Sequence, residues 1–286
     1  MRVFVSEYVC GGAWPDELLD NSMAAEGRAM LVSLVQDLLR IPAVNVVTTW
    51  DQRLGTFPID RLTGLTVVRT RSSTEEEYEF KRLCEESDAA FVIAPEFHGI
   101  LAARVKTASK LTSLAGCNFE ATALCSDKLR LAEFLSDVGI STIPTECFEP
   151  TLGEFAAPSF EPAFPCVIKP RDGAGSVLTF KVLNFAELKQ RSKHFLTAGG
   201  DFRFVRQPFV EGIAVSCAAI VVADQARQRA GTQKSLHIDV LPPCEQILSG
   251  DGTFRYEGAD YPGRLKPSDR DRIENIVRRC CASIPG

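Results

Sequence analysis

A chain of 286 residues, 45% hydrophobic and 24% charged, has ordinary globular composition and length for two domains or three small ones. Its net charge of −5 sets up no global field for nucleic acid, and the basic run Arg227-Gln228-Arg229 with Lys234 lacks interleaved aromatics and reads as a solvated loop. No apolar stretch has bilayer length, the opening MRVFVSEYVC is no signal peptide, and ten scattered cysteines without a CxxC read as free thiols in a reducing cytoplasm. Neither a membrane nor nucleic acid is an expected partner.

Residues 2–9 alternate and run apolar, which predicts a first strand. Residues 22–40 predict a helix, with Leu31, Leu34, Val35, Leu38 and Leu39 on one stripe and Pro42 beyond its end. Strands follow at 44–48 and 65–69. Ser73-Thr74-Glu75-Glu76 has a capping-box pattern and opens a helix to about Glu86. Residues 89–94 form a continuous apolar strand ended by Pro95, and 99–111 are helical again. Strands alternating with helices over 1–115 predict a parallel α/β sheet, whose ligands bind beyond the strand carboxyl ends. Glu7 and Glu96 lie at two such ends, as site residues or as plain loop carboxylates.

A second region begins near Ala121. Ser126 is the expected N-cap and Asp127 the dipole partner of a helix running through Val138, closed by Gly139. A strand is expected at 142–148, then a Pro- and Ala-rich loop at 151–164. The segment FPCVIKPRDGAGS reads as a strand at 164–168 that delivers Lys169 and is stopped by Pro170. A small-residue loop, Gly173-Ala174-Gly175-Ser176, and a second strand at 177–182 follow. Such a hairpin can fold over polyphosphate, because glycine lets backbone N–H groups approach oxygens and the lysine adds point charge. It is equally the pattern of a tight turn beside a surface lysine. No GxxxxGK[ST] occurs, and GxGxxG fails because Leu178 replaces the third glycine. Asn184 caps a helix to about Leu196, broken by Gly199-Gly200. A short strand at 202–205 leads into Gln207-Pro208-Phe209-Val210-Glu211-Gly212, and a long strand is expected at 213–223. Residues 268–284 read as an amphipathic helix. His98, His194 and His237 lack metal-ligand spacing.

These residues, in this order, resemble the ATP-grasp superfamily over roughly 110–223. The matching pieces are Asp127-Lys128, the 139–145 segment, Pro165 to Pro170 with Asp172 to Ser176, and Arg206 to Gly212 with Ser216. The resemblance implies an α/β and α+β architecture: a Rossmann-like domain at 1–115, a first grasp subdomain with a glycine-rich flap at 116–200, and a second at 201–286. Two small sheets would clamp ATP. Members phosphorylate a carboxylate with ATP, and an amine then attacks the acyl phosphate. Lys128 and Lys169 would reach ATP, and Gly173, Ala174, Gly175 and Ser176 would form the flap. Gln207, Pro208, Phe209 and Val210 would hold the adenine edge, with Glu211 on the ribose. Taken alone, Lys128 is a solvated helix residue and Glu211 a loop residue.

The start of the chain looks like the tyramine–glutamate ligase group of methanofuran biosynthesis. The features are Glu7-Tyr8-Val9-Cys10-Gly11-Gly12, the segment 25–31, and Asp51-Gln52-Arg53. That likeness implies glutamate joined to an amine such as tyramine. Glu26 and Arg28 would meet the amino-acid substrate, or form the wet face of the first helix. The family also implies Mg²⁺ held by carboxylates of a later strand carrying E-x-N-P-R, which these 286 residues do not contain. Asp239, Glu245, Asp251, Glu257 and Asp260 make no metal pattern, so no ligand is assigned and a C-terminally shortened ligase is expected. The alternatives are a non-catalytic nucleotide-binding or regulatory protein, and a purely structural glycine hairpin.

Overall fold

In the computed structural model, which describes residues 1–15, 19–150, 156–197, 203–223 and 236–285, the chain divides between Ser126 and Asp127 into two units. The first is a parallel sheet of β1 (Arg2–Glu7), β2 (Asn45–Asp51), β3 (Leu65–Thr70), β4 (Ala89–Ile93) and β5 (Ser113–Leu114), in the order β3-β2-β1-β4-β5. Period-two alternation sends Val3, Val5 and Val46 to one face, where α1 (Asn21–Leu39) covers them with Ala24, Leu31 and Val35. Phe4, Val47 and Ala90 face the other way, onto α2 (Ser73–Glu85) and α3 (Ile100–Leu111).

Local chemistry moves two predicted helix starts. Ser72, not Ser73, caps α2 by accepting from the Glu75 N–H, because Glu76 is wholly buried and ion-paired to Arg104. A helix the sequence reading omits, α4 (Phe119–Cys125), is capped by Asn118 and takes Ser126 as its C-cap. Asp127 therefore caps α5 (Lys128–Asp137), accepting from the Leu129 and Arg130 N–H groups.

The second unit holds an antiparallel sheet of β6 (Glu146–Phe148), β7 (Cys166–Pro170), β8 (Phe180–Val182) and β9 (Phe204–Pro208), in the order β6-β9-β7-β8. One face carries Cys166, Ile168, Val182 and Phe204 into a core with Leu188 and Phe195 of α6 (Phe185–Thr197). Pro170 does not stop the strand. The β8 ladder has ended at Ile168 opposite Phe180, so Pro170 can pair with Phe204 without needing an N–H on its other side. The strand expected at 177–182 shrinks to its last three residues, because Ser176 (φ 59°) and Leu178 (φ 49°) prolong the turn. The strand expected at 142–148 begins only at Glu146, since β9 ends at Pro208 and Gln207 reaches Thr145 through its side chain instead.

The long strand expected at 213–223 is two strands, β10 (Val215–Ser216) and β11 (Ala219–Ala223). The chain changes partners between them, from β13 (Cys244–Leu248) to β12 (Leu236–Val240). β14 (Tyr256–Asp260) completes a three-stranded sheet in the order β10-β13-β14. The last helix, α7 (Pro267–Ser283), starts on Pro267 at its first position and packs on β12 with no residue fully buried. The Gly199-Gly200 break, the start of the strand at Phe202, the 151–155 part of the loop and the basic run at 227–234 lie outside the described residues.

Candidate functional site

Pairing in the β6-β9-β7-β8 sheet decides what surrounds Lys169. Val167 lies opposite Gln207 and Lys181, and Lys169 opposite Val205, so Lys169, Lys181 and Gln207 share the face turned away from α6. Lys169 stands inside the strand, partly buried, and makes no hydrogen bond or ion pair with any described residue. Burial, reinforced by the charge of Lys128, pulls its pKa below the ordinary lysine value. An ammonium withdrawn from water beside a second cation, with no anion of its own, is a site short of negative charge.

Lys128 reaches the same place from α5. Its Nζ donates to the carbonyls of Asp172 (3.0 Å) and Gly173 (2.8 Å), at the base of the 173–176 loop. The Lys128 backbone N–H donates to the Arg171 carbonyl (2.9 Å), and Arg171 Nε donates to the cap Asp127 (2.7 Å). Against the upward push of partial burial, the Arg171 hydrogen bond and the helix N–H groups hold the Asp127 carboxyl below its usual range. The helix start and the root of the loop are thus hydrogen-bonded to each other at several points.

The loop itself has Gly173 at φ 78°, Gly175 at φ 72° and Ser176 at φ 59°. The left-handed backbone at the two glycines would strain any side chain. Ala174 and Gly175 are exposed, whereas the Ser176 hydroxyl donates to the Phe254 carbonyl (2.8 Å). On the other side of the lysine face, Phe209 follows β9 and its N–H donates to the Pro165 carbonyl (2.9 Å). The Lys181 ammonium lies 3.6 Å from the Phe209 ring centroid. Val210 and Glu211 are exposed. Lys128, Lys169 and the 173–176 loop are thus brought together in the second unit, with Gln207 on the lysine face and Phe209 beside Lys181, while Pro208, opposite Cys166, lies on the face toward α6. Ammonium groups, glycine amides and an aromatic wall are the chemistry of a polyphosphate attached to a flat ring.

The remaining candidates lie in the first unit. Glu7 is 2% exposed, and burial raises its pKa even though it accepts the Cys10 N–H in the turn after β1. Gly27 of α1 lies against that carboxylate: a Cβ there would come within 2.6 Å of it. Glu7 is thus enclosed by its own turn and helix. Glu26 and Arg28 are exposed near it, their charges acting on Glu7 and Cys10 respectively. Asp51, at the end of β2, is buried and paired to Arg53 (2.6 Å). Glu96 is exposed beyond β4 and caps nothing with its side chain. A recess of ≈ 370 Å³ between α2 and α3, with Tyr8, Phe80 and Arg104 in its lining, had no signal in the sequence. Among the described residues no group of three or more His, Cys, Asp or Glu is placed to hold a metal ion, so no magnesium ligand is assigned.

Residues 125–286 match the ATP-grasp domain family, and residues 44–122 match the pre-ATP-grasp 3 domain. The chain belongs to the ATP-grasp family. A D-alanine–D-alanine ligase of Leptospira interrogans is 28% identical over 122 residues, covering 40% of this chain and 32% of that protein. The alignment thus spans about a third of the curated relative. Among solved structures, a protein from Archaeoglobus fulgidus described as of the ATP-grasp superfamily superposes with a TM-score of 0.67 at 21% identity. It is matched over 100% of this chain and 73% of its own. A carboxyaminoimidazole ribonucleotide synthase from Aspergillus clavatus, complexed with ATP, gives 0.64 at 16% identity over 100% and 63%. The fold is that of an N-terminal domain followed by an ATP-grasp domain.

Proposed function

We propose that this chain binds ATP through its second unit and acts as an ATP-dependent carboxylate–amine ligase. The single observation that carries the reading is Lys169, a partly buried ammonium with no anion among the described residues, on the sheet face beside a glycine loop and an aromatic wall. A triphosphate supplies the missing charge. Lys169 and Lys128 would neutralise it, and the 173–176 loop would cover it. Gln207, Pro208, Phe209 and Val210 would line the base, with the exposed Glu211 toward the ribose. Phosphoryl transfer needs positioning and charge neutralisation more than covalent help, which these groups offer.

In the reaction so read, a substrate carboxylate oxygen takes the γ-phosphoryl group and ADP leaves. The amine nitrogen then attacks the acyl carbon, loses a proton, and phosphate departs with the carboxylate oxygen. A covered cleft protects the acyl phosphate from water. Magnesium, which the resemblance implies, would supply further neutralisation, and no ligand for it is assigned among the described residues. Glutamate with an amine such as tyramine, in methanofuran-type cofactor synthesis in the cytoplasm, is the favoured substrate reading. What supports it is that two segments shared with that group, 7–12 and 51–53, lie at the carboxyl ends of β1 and β2, and that Gly27 of the third, 25–31, lies against the Glu7 carboxylate. Sheets of this kind take their ligands at those ends.

The test is ADP release with ATP, Mg²⁺, glutamate and a panel of amines. Amine-dependent release with tyramine supports the full reading. ATP binding without amine-dependent release favours the non-catalytic nucleotide binder, and no ATP binding removes both.

A further inference from the structure

The turn between β13 and β14 is built around one exposed carboxylate. Asp251 Oδ1 accepts from the Ser249 hydroxyl (2.7 Å), the Thr253 N–H (2.9 Å) and the Thr253 hydroxyl (2.6 Å). The Ser249 N–H donates to the Arg255 carbonyl (2.8 Å), and the Arg255 N–H donates to the Ser249 hydroxyl (3.0 Å). Gly252 (φ 82°) and Phe254 (φ 56°) take the left-handed backbone that closes the turn.

The closed turn points two carbonyls at the other sheet. Gly252 O accepts from the Lys181 N–H on the free edge of β8 (2.7 Å), and Phe254 O accepts from the Ser176 hydroxyl (2.8 Å). The Phe254 ring lies 6.2 Å from the Phe209 ring. The glycine flap is thereby held at both ends: Lys128 grips the carbonyls of Asp172 and Gly173, and the turn grips Ser176. Between the two grips Ala174 and Gly175 are exposed.

We propose that Asp251 is a positioning residue for the nucleotide site: it shapes the turn that fixes the far end of the flap over the Lys169 face. Its effect on ATP rests on the nucleotide reading above. Its effect on the flap does not.

The test compares Asp251→Ala and Asp251→Asn in the full chain by hydrogen exchange without nucleotide and by calorimetric titration with ATP and Mg²⁺. Losing the acceptor frees one or two hydrogen bonds' worth of order, so D251A exchanges about three- to ten-fold faster at the amides of 174–180 and binds ATP weaker by a similar factor. Asparagine keeps an acceptor oxygen in the same place, so D251N restores both. A residue with a merely structural role would speed exchange in α6 and β7 as well. Unchanged flap exchange in D251A, or equal acceleration across α6 and β7, overturns the proposal. A loosened flap in a protein whose parent chain binds no ATP supports the tether and refutes the nucleotide reading instead.

Discussion

Replacing Lys169 by methionine keeps the unbranched stem and deletes the charge, and the two consequences have opposite signs. In the free protein the ammonium is desolvated, repelled by Lys128 and unpaired among the described residues. Removing a group in that state relieves a penalty of order 1 kcal/mol, which raises the melting temperature by about 2–4 °C for a unit of this size. In the ATP complex the same ammonium would face phosphate oxygens in a covered cleft. Truncating one partner of such a pair costs about 3 kcal/mol, or roughly two decades in Kd. Calorimetric ATP titration and a thermal scan of the same K169M sample measure both. A lysine held for packing alone would lose stability and leave affinity untouched. ATP affinity within about three-fold of the parent chain, or a lower melting temperature, would refute the reasoning.

The same depressed lysine sets a pH dependence: phosphate prefers the protonated form, so ATP affinity falls as pH rises through the lowered Lys169 pKa, short of the ordinary 10.5, and K169M flattens that limb of a Kd–pH profile. The linked stability runs the other way, because over that window the unfolded chain holds the proton that the folded one has released, so the nucleotide-free protein gains stability as pH rises. Glu146 supplies a further check. Its Oε1 accepts from Arg206 Nε (2.7 Å), and the Arg206 side chain is only 5% exposed. Glu146→Ala strands that guanidinium and should cost about 3–5 kcal/mol in urea unfolding, with Glu146→Gln milder. Against the upward push of partial burial, bonds from Ser159 and Arg206 hold the Glu146 carboxyl low. Its contribution is complete above the unfolded value near 4.3, fades as pH falls through the lower folded one, and is missing from the acid limb of E146A.

The lysine and the flap were legible because their signals are short. A strand, one lysine and three small residues sit within a dozen positions, and positive φ at Gly173 and Gly175 is a demand glycine announces locally. In the first unit α1 was legible from its apolar stripe, to within a residue, whereas the short α4 was not. Local signals misplaced what depends on a distant partner. Pro170 looked like a stop until β9 was known to pair beside it. The 213–223 run is apolar throughout, and nothing in it reveals that its halves join different sheets. Glu7 stands at a strand end as the sequence indicates, but that Gly27 and the Cys10 turn lie against its carboxylate is visible only in the fold. The Glu146–Arg206 pair spans sixty residues, and the 249–255 turn meets the flap across more than seventy.

By itself the sequence determined the strands β1 to β4 and the helices α1, α2, α3, α5 and α6 to within a few residues. It also determined that the chain carries a cation beside a glycine loop, and the order of pieces that marks the family. Tertiary structure alone decided that Lys169 has no counter-charge among the described residues, that Lys128 and Ser176 hold the two ends of one loop, and which acidic groups are enclosed. Backbone preference and hydrophobic periodicity act over a few residues and can be read in line. Desolvation and pairing depend on what the rest of the chain brings alongside, and only the folded arrangement of sheets specifies that.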